Sequence, residues 1–230
     1  MKIIGLIGGM SWESTIPYYR EINETIRDRL GGLHSAKIVL YSVDFHEIEA
    51  LQRSGDWDTA GRLLADAAQS LQRAGADFLV IGANTMHKVV PAIEGAVALP
   101  ILHIADCLAE ELKAAQFSNV GLLGTRFTME QDFYKDRLRQ RHGIEALIPN
   151  EAQRERVHRI IYDELCVGRI ESSSREEYRS IIADLVALGA QAIVLGCTEI
   201  AMLIDQQDSA VPLFDTAKIH ARSAALSALS

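Results

Sequence analysis

"VIGANTMHK" (residues 80–88) and "IVLGCTEIA" (193–201) are two versions of one stretch. Each drives an apolar, β-branched run into a glycine, Gly82 or Gly196, then turns polar where a helical pattern begins. Continuous Val/Ile/Leu runs of this kind read as strands buried on both faces, and the glycine marks their end. Beyond the glycine the copies part: Ala83 stands where the second has Cys197, and Asn84-Thr85 where it has Thr198-Glu199. If the surrounding residues repeat as well, the fold is a duplication.

They do repeat, and in order. "IGLIGGMSWESTIPYYREI" (4–22) lies over "VGLLGTRFTMEQDFYKDRL" (120–138), with Gly5 on Gly121, Gly8 on Gly124 and Tyr18 on Tyr134. "AGADFLVIGAN" (74–84) lies over "LGAQAIVLGCT" (188–198), and "LPILHIA" (99–105) over "VPLFDTA" (211–217). Glycine-ended strands resemble one another in any α/β protein, but a shared order and a matched tyrosine favour two homologous halves. Strand candidates fall at 2–8, 37–43, 77–83, 100–104, 119–124, 191–197 and 212–215, and helical patterns at 14–30, 57–74, 105–116, 128–142, 151–166, 174–188 and 217–228. Buried strands alternating with amphipathic helices imply parallel sheets with helical crossovers. The expected fold is therefore α/β, in two pseudo-symmetric lobes, each a parallel sheet flanked by helices. The first lobe is expected over 1–103 plus 213–230 and the second over 104–212, with a cleft between them at the carboxyl ends of the strands, where such sheets place ligands.

Composition narrows the function. A hydrophobic share of 48% with 23% charged residues suits a globular chain, and 230 residues can bury a core in one large or two small domains. A net charge of -8 with no basic run argues against nucleic-acid and anionic-membrane binding. The opening "MKIIGLIGGM" is too short an apolar run for a signal peptide, and nothing reaches the length of a membrane span. Cys107, Cys166 and Cys197 are an odd number of thiols without CxxC spacing, which favours free thiols in a reducing cytoplasm and gives no zinc-ligand cluster.

The loops after Gly8, Gly82, Gly124 and Gly196 carry the candidate site. "GGMSWEST" (8–15), with Met10 in its turn, is neither GxGxxG nor a Walker loop, and reads as a tight turn whose amides approach a small anion. Asn84 and Thr85 suit a carboxylate, although the same pair is an ordinary helix cap and that reading is the commoner one. Thr125 and Thr128 are three apart at a helix start, with capping again the competing reading. Cys197 lies at a strand mouth near a helix start, where a thiol's pKa is lowered and its thiolate serves as base or nucleophile. Cys107 and Cys166 sit within helical patterns and read as small buried hydrophobes. His87 and His103 read as local hydrogen-bonding residues, and Tyr18 and Tyr134 as packing residues.

The segments "GLIGGMSWEST", "xNTxH" at 83–87, "GTRFTM" at 124–129 and "GCTEI" at 196–200 together resemble the aspartate/glutamate racemase family, over essentially the whole chain. Glu199 makes the last loop more similar to aspartate-type racemases than to glutamate racemases of cell-wall synthesis. The resemblance implies a two-base mechanism with no pyridoxal phosphate, metal or other cofactor. One group takes the α-proton of a bound amino acid and another returns a proton on the opposite face, while donors stabilise the enolate-like charge on the carboxylate. On the matching motifs, Cys197 is one proton-transfer group, and Asn84, Thr85 and Thr198 hold the carboxylate with Thr125 and Thr128 nearby. A distal carboxylate would be read by Gln52 or Arg53, Gln52 ahead, with Arg169 a further candidate whose ordinary reading is a solvated surface. The partner implied is a small-molecule amino acid, and since dimers are common in the family a homodimer is also implied.

Position 83 departs from the family pattern. The first catalytic group belongs there, and a methyl group transfers no proton. Either Ala83 replaces a working residue in a racemase for small acidic amino acids, or the chain is naturally one-sided. The arylmalonate decarboxylases of the same superfamily resemble such a single-cysteine enzyme, and a non-catalytic amino-acid-binding protein is the third reading. The first fits best, because the other loops match racemases rather than decarboxylases.

Overall fold

Strands buried on both faces need helices on each side, and a computed structural model describing all 230 residues supplies them twice. The first set comprises β1 (Ile4–Gly8), α1 (Trp12–Leu30), β2 (Ile38–Ser42), α2 (Phe45–Ser54), α3 (Trp57–Arg73), β3 (Phe78–Ile81), a 3₁₀ turn (Thr85–Val89), α4 (Val90–Glu94) and β4 (Ile101–Leu102). After α5 (Ile104–Ala114) come β5 (Asn119–Gly124), α6 (Arg126–Glu130), α7 (Asp132–His142), β6 (Glu145–Leu147), α8 (Glu151–Asp163), α9 (Ser172–Ala187), β7 (Ala192–Gly196), α10 (Ile200–Leu203), β8 (Leu213–Asp215) and α11 (Thr216–Leu229). Two four-stranded sheets result, in the orders β2-β1-β3-β4 and β6-β5-β7-β8, with every pairing parallel.

The chain divides into a first unit, Met1–Ile104 with His220–Ser230, and a second, Ala105–Ile219. This differs from the division expected at 213. β8 pairs with β7, so residues 213–219 stay with the second sheet, and the chain crosses back within α11. Two further details differ. The helix expected over 128–142 breaks at Gln131, whose extended backbone (ψ 149) separates α6 from α7. The edge strand β6, three residues beginning with exposed Glu145, was too short to stand out in the sequence.

Packing follows the patterns. In the first unit α3 turns Ala60, Leu64, Ala67, Ala68 and Leu71 toward a cluster that includes Ile7, Leu79 and Ile81. The helix starts at Asp56, whose side chain accepts the Thr59 N–H at 3.0 Å. In the second unit Val157, Ile160 and Ile161 of α8 and Tyr178, Ile181, Ile182 and Leu185 of α9 bury against Leu123, Ile193 and Leu195. A capping box, Asn150 with Gln153, opens α8. Full burial of such aliphatic side chains stabilises by roughly 1.5–3 kcal/mol each. No helix is long and apolar enough to cross a membrane.

One polar contact is buried in the first unit's core. Tyr18 of α1 lies 2.9 Å by its hydroxyl from Nδ1 of His220, whose Nε2 donates to the Leu102 carbonyl at 2.8 Å. Burial drives the His220 pKa down to about 4 from an ordinary 6.5, so the folded protein holds the ring neutral. The unfolded chain takes up that proton below pH 6.5 and the folded chain does not. The stabilisation is therefore complete above pH 6.5 and is lost progressively as pH falls toward 4, by roughly 3 kcal/mol. Urea unfolding midpoints between pH 7 and 4.5 should fall less steeply in His220→Gln than in the parent.

Candidate functional site

Adjacent parallel strands bring the candidate loops together within each unit. In the first, Ile7 of β1 pairs with Ile81 of β3, and the Gly82 N–H donates to the Ile7 carbonyl at 2.8 Å. The loops after Gly8 and Gly82 thus start side by side. Met10, Ala83 and Met86 share one buried cluster. Thr15 closes the first loop, accepting the Gly9 N–H at 2.8 Å and donating to the Ser11 carbonyl at 3.0 Å. That bracing role was not anticipated from the sequence. Asn84 and Thr85 are both buried. Asn84 has helical backbone angles (φ −65, ψ −50) and its side chain does not cap the turn that follows, so the capping reading of this pair is not realised.

Gln52 and Arg53 point to different surroundings. Ile48 and Gln52, one helical turn apart, are the buried positions of α2. The Gln52 Nε2 donates to the Met86 sulfur at 3.1 Å. Arg53 projects into solvent, 72% exposed, and pairs with Glu49. Arg169 is also exposed and donates to the Asp163 carbonyl. Of the three candidates for reading a distal carboxylate, only Gln52 joins the buried groups of the Met86 loop.

In the second unit Gly124 ends β5 opposite Gly196, which ends β7. Thr125 caps α6 by accepting the Thr128 N–H, and the two hydroxyl oxygens lie 3.3 Å apart. After Gly196 the chain turns sharply. The Cys197 thiol donates to Oε2 of Glu199 at 3.0 Å, and the Thr198 hydroxyl donates to the same oxygen at 2.6 Å. Glu199 is only 2% exposed, and Cys197 belongs to the hydrophobic cluster of α8 and α9.

This corrects the expected chemistry of Cys197. Burial first, and the Glu199 charge after it, push the thiol well above its ordinary pKa. The helix behind it, α10, has only four residues, too few to offset a buried anion. Cys197 therefore rests as a thiol that keeps its proton and donates it in a hydrogen bond to Glu199, not as a free thiolate. Glu199 was missing from the expected site residues. The available signal was an acid two positions beyond a cysteine, in a loop entered from a fully buried strand. No group of three or more His, Cys, Asp or Glu side chains is arranged to hold a metal ion.

A family model described as Asp/Glu/hydantoin racemase matches residues 7–224. The chain belongs to that family. This racemase-family chain is 59% identical to a provisionally described Asp/Glu racemase from Yersinia pestis, whose crystal structure superimposes with a TM-score of 0.93 and full coverage of both chains. An aspartate racemase homologue from Pyrococcus horikoshii is 35% identical, with a TM-score of 0.85 and again full coverage of both. The broad specificity amino-acid racemase RacX of Bacillus subtilis is 23% identical over 96% of each chain.

Glu199→Gln should lower the Cys197 pKa, because it removes the negative charge that opposes the thiolate. The pH dependence of thiolate absorbance, measured with Cys107 and Cys166 replaced by serine, should move to lower pH. An unchanged or higher midpoint would contradict the assigned role of Glu199.

Proposed function

We propose that the chain is a cofactor-independent racemase of small acidic amino acids, aspartate and glutamate, in which Ala83 removes one of two proton-transfer groups. The observation that carries this reading is the Cys197 thiol donating to a buried carboxylate, beside the hydroxyls of Thr125, Thr128 and Thr198. Glu199 is set to take the thiol proton. The thiolate so formed takes the α-proton of the amino acid, and the electron pair left behind spreads onto the substrate carboxylate. Backbone N–H groups with Asn84, Thr85, Thr125, Thr128 and Thr198 are the donors assigned to that carboxylate, and Met10 is a further substrate contact. Return of a proton from Cys197 regenerates the starting enantiomer. Inversion needs a donor on the opposite face, the role the family pattern gives to position 83.

Incubation with each enantiomer of aspartate and glutamate in deuterium oxide separates these steps. The chain with Ala83 should exchange the α-proton of one enantiomer with little inversion. Ala83→Thr or Ala83→Cys should raise racemisation by about 100-fold or more, the usual scale for one acid–base group. Fast, complete racemisation with Ala83 in place, or no gain on restoring a proton carrier, would refute the assignment.

Gln52→Leu should weaken glutamate binding by about tenfold, the loss expected for one hydrogen bond to a charged group. Arg53→Ala should leave it unchanged, and isothermal titration reads both.

Ala83 also supports a second reading, a lyase in which a single cysteine protonates the carbanion left after carbon dioxide departs. Carbon dioxide release from an aryl-substituted malonate distinguishes it. The three free thiols support a reducing, cytoplasmic setting for either enzyme.

A further inference from the structure

Three histidines, His87, His103 and His220, are buried together in the first unit, each at most 6% exposed. The His87 ring lies 4.4 Å from His103 and 5.8 Å from His220, centroid to centroid. None belongs to the chemistry proposed for Cys197, and their hydrogen bonds fix where two of them carry their protons.

At His87, Nε2 accepts the backbone N–H of Ile104 at 3.2 Å, so this nitrogen bears no proton. Nδ1 lies 2.8 Å from the Ala83 carbonyl, which can only accept, so Nδ1 carries the proton. At His220 the pattern is reversed. Nε2 donates to the Leu102 carbonyl, leaving Nδ1 to accept the Tyr18 hydroxyl. Two neighbouring rings are thus held as opposite neutral tautomers. Protonating His87 on Nε2 would set two N–H donors against each other at Ile104.

The bond to Ala83 fills a gap in the backbone. The turn after Asn84 is 3₁₀, and the His87 N–H goes to the Asn84 carbonyl. The imidazole, rather than that N–H, supplies the donor for Ala83. His87 therefore grips the loop at its first residue and anchors it to Ile104, the last residue of the first unit before the chain crosses. We propose that His87 is a positioning residue, whose Nδ1 proton holds the 83–85 loop in the conformation that presents Asn84 and Thr85 to an amino-acid carboxylate. This rests on the reading of that loop as substrate-binding.

Two isosteric variants divide the role. His87→Asn puts an amide N–H near the place of Nδ1 and keeps the donor to Ala83, but does not reach Ile104. His87→Gln reaches Ile104 with an acceptor and gives up the Ala83 bond. Glutamate affinity by isothermal titration should fall about tenfold in His87→Gln, the worth of one buried hydrogen bond, and by less than about threefold in His87→Asn. Hydrogen exchange of the Asn84 and Thr85 amides should quicken in His87→Gln alone. Nitrogen-15 spectra of the parent at pH 7 should show His87 unprotonated at Nε2, assigned by the signals lost in either variant. The opposite tautomer, an imidazolium, or equal losses in both variants would overturn the proposal. If the parent binds neither aspartate nor glutamate, the proposed substrate falls, yet the exchange data still judge His87: unchanged rates at 84 and 85 in His87→Gln would overturn the grip itself.

Discussion

Two glycines facing each other across paired parallel strands set where the chemistry of the second unit can lie. A Cβ on Gly124 would come within 2.9 Å of the Gly196 carbonyl oxygen, and one on Gly196 within 2.9 Å of the Leu123 carbonyl oxygen. Since these obstacles are backbone, neither can move aside as a side chain could. The strands can run this close to their ends only without side chains there, and their loops then leave from neighbouring points. Thr125 and Cys197, the next residue after each glycine, are neighbours for that reason. In the first unit Gly82 is bonded to Ile7, next to Gly8, and brings the Met10 and Ala83 loops together in the same way.

What the second loop cluster does with that closeness is electrostatic. A thiol buried among Ile and Leu side chains cannot ionise cheaply, and a carboxylate beside it makes ionisation harder still. The thiol donates its proton in a hydrogen bond to that carboxylate, so the loop holds a thiol rather than a thiolate. In the first loop cluster the Ala83 methyl stands at the position matching Cys197, and the Ala83 carbonyl is held by the His87 imidazole.

The architecture was largely legible because buried parallel strands write uninterrupted apolar runs, and because the chain writes them twice. The runs extend past the strands they mark at Lys2, whose N–H bonds to Ala228 of α11, and at Asp77, which bonds to Ile3 just before β1. β6 escaped notice because three residues on an edge carry no pattern. The crossing inside α11 was hidden as well, since a helix that passes from one unit to the other shows no break in its sequence. Gln52 stands ahead of Arg53 by the resemblance alone, and only the structure shows the helical phase that buries it one turn from Ile48. The state of Cys197 could not be read. Its position suggested a helix start, but burial and a carboxylate folded back onto the sulfur are products of tertiary structure. The opposed histidine tautomers rest on contacts such as His220 with Leu102, residues more than a hundred positions apart.

The order of the chain through its two units also bears on how the protein is made. Residues 105–219 are continuous and can complete their core as soon as they leave the ribosome. The first unit is synthesised earlier but stays unfinished, because His220, Ala221, Ala224, Ala225 and Ala228 are buried and Lys2 bonds to the Ala228 carbonyl. The first sheet must therefore wait for residues 220–230, which follow the second unit in the chain, reversing the usual order in which nascent domains mature. Loss of residues 220–230 would strip its cover from a sheet whose strands were made more than a hundred residues earlier.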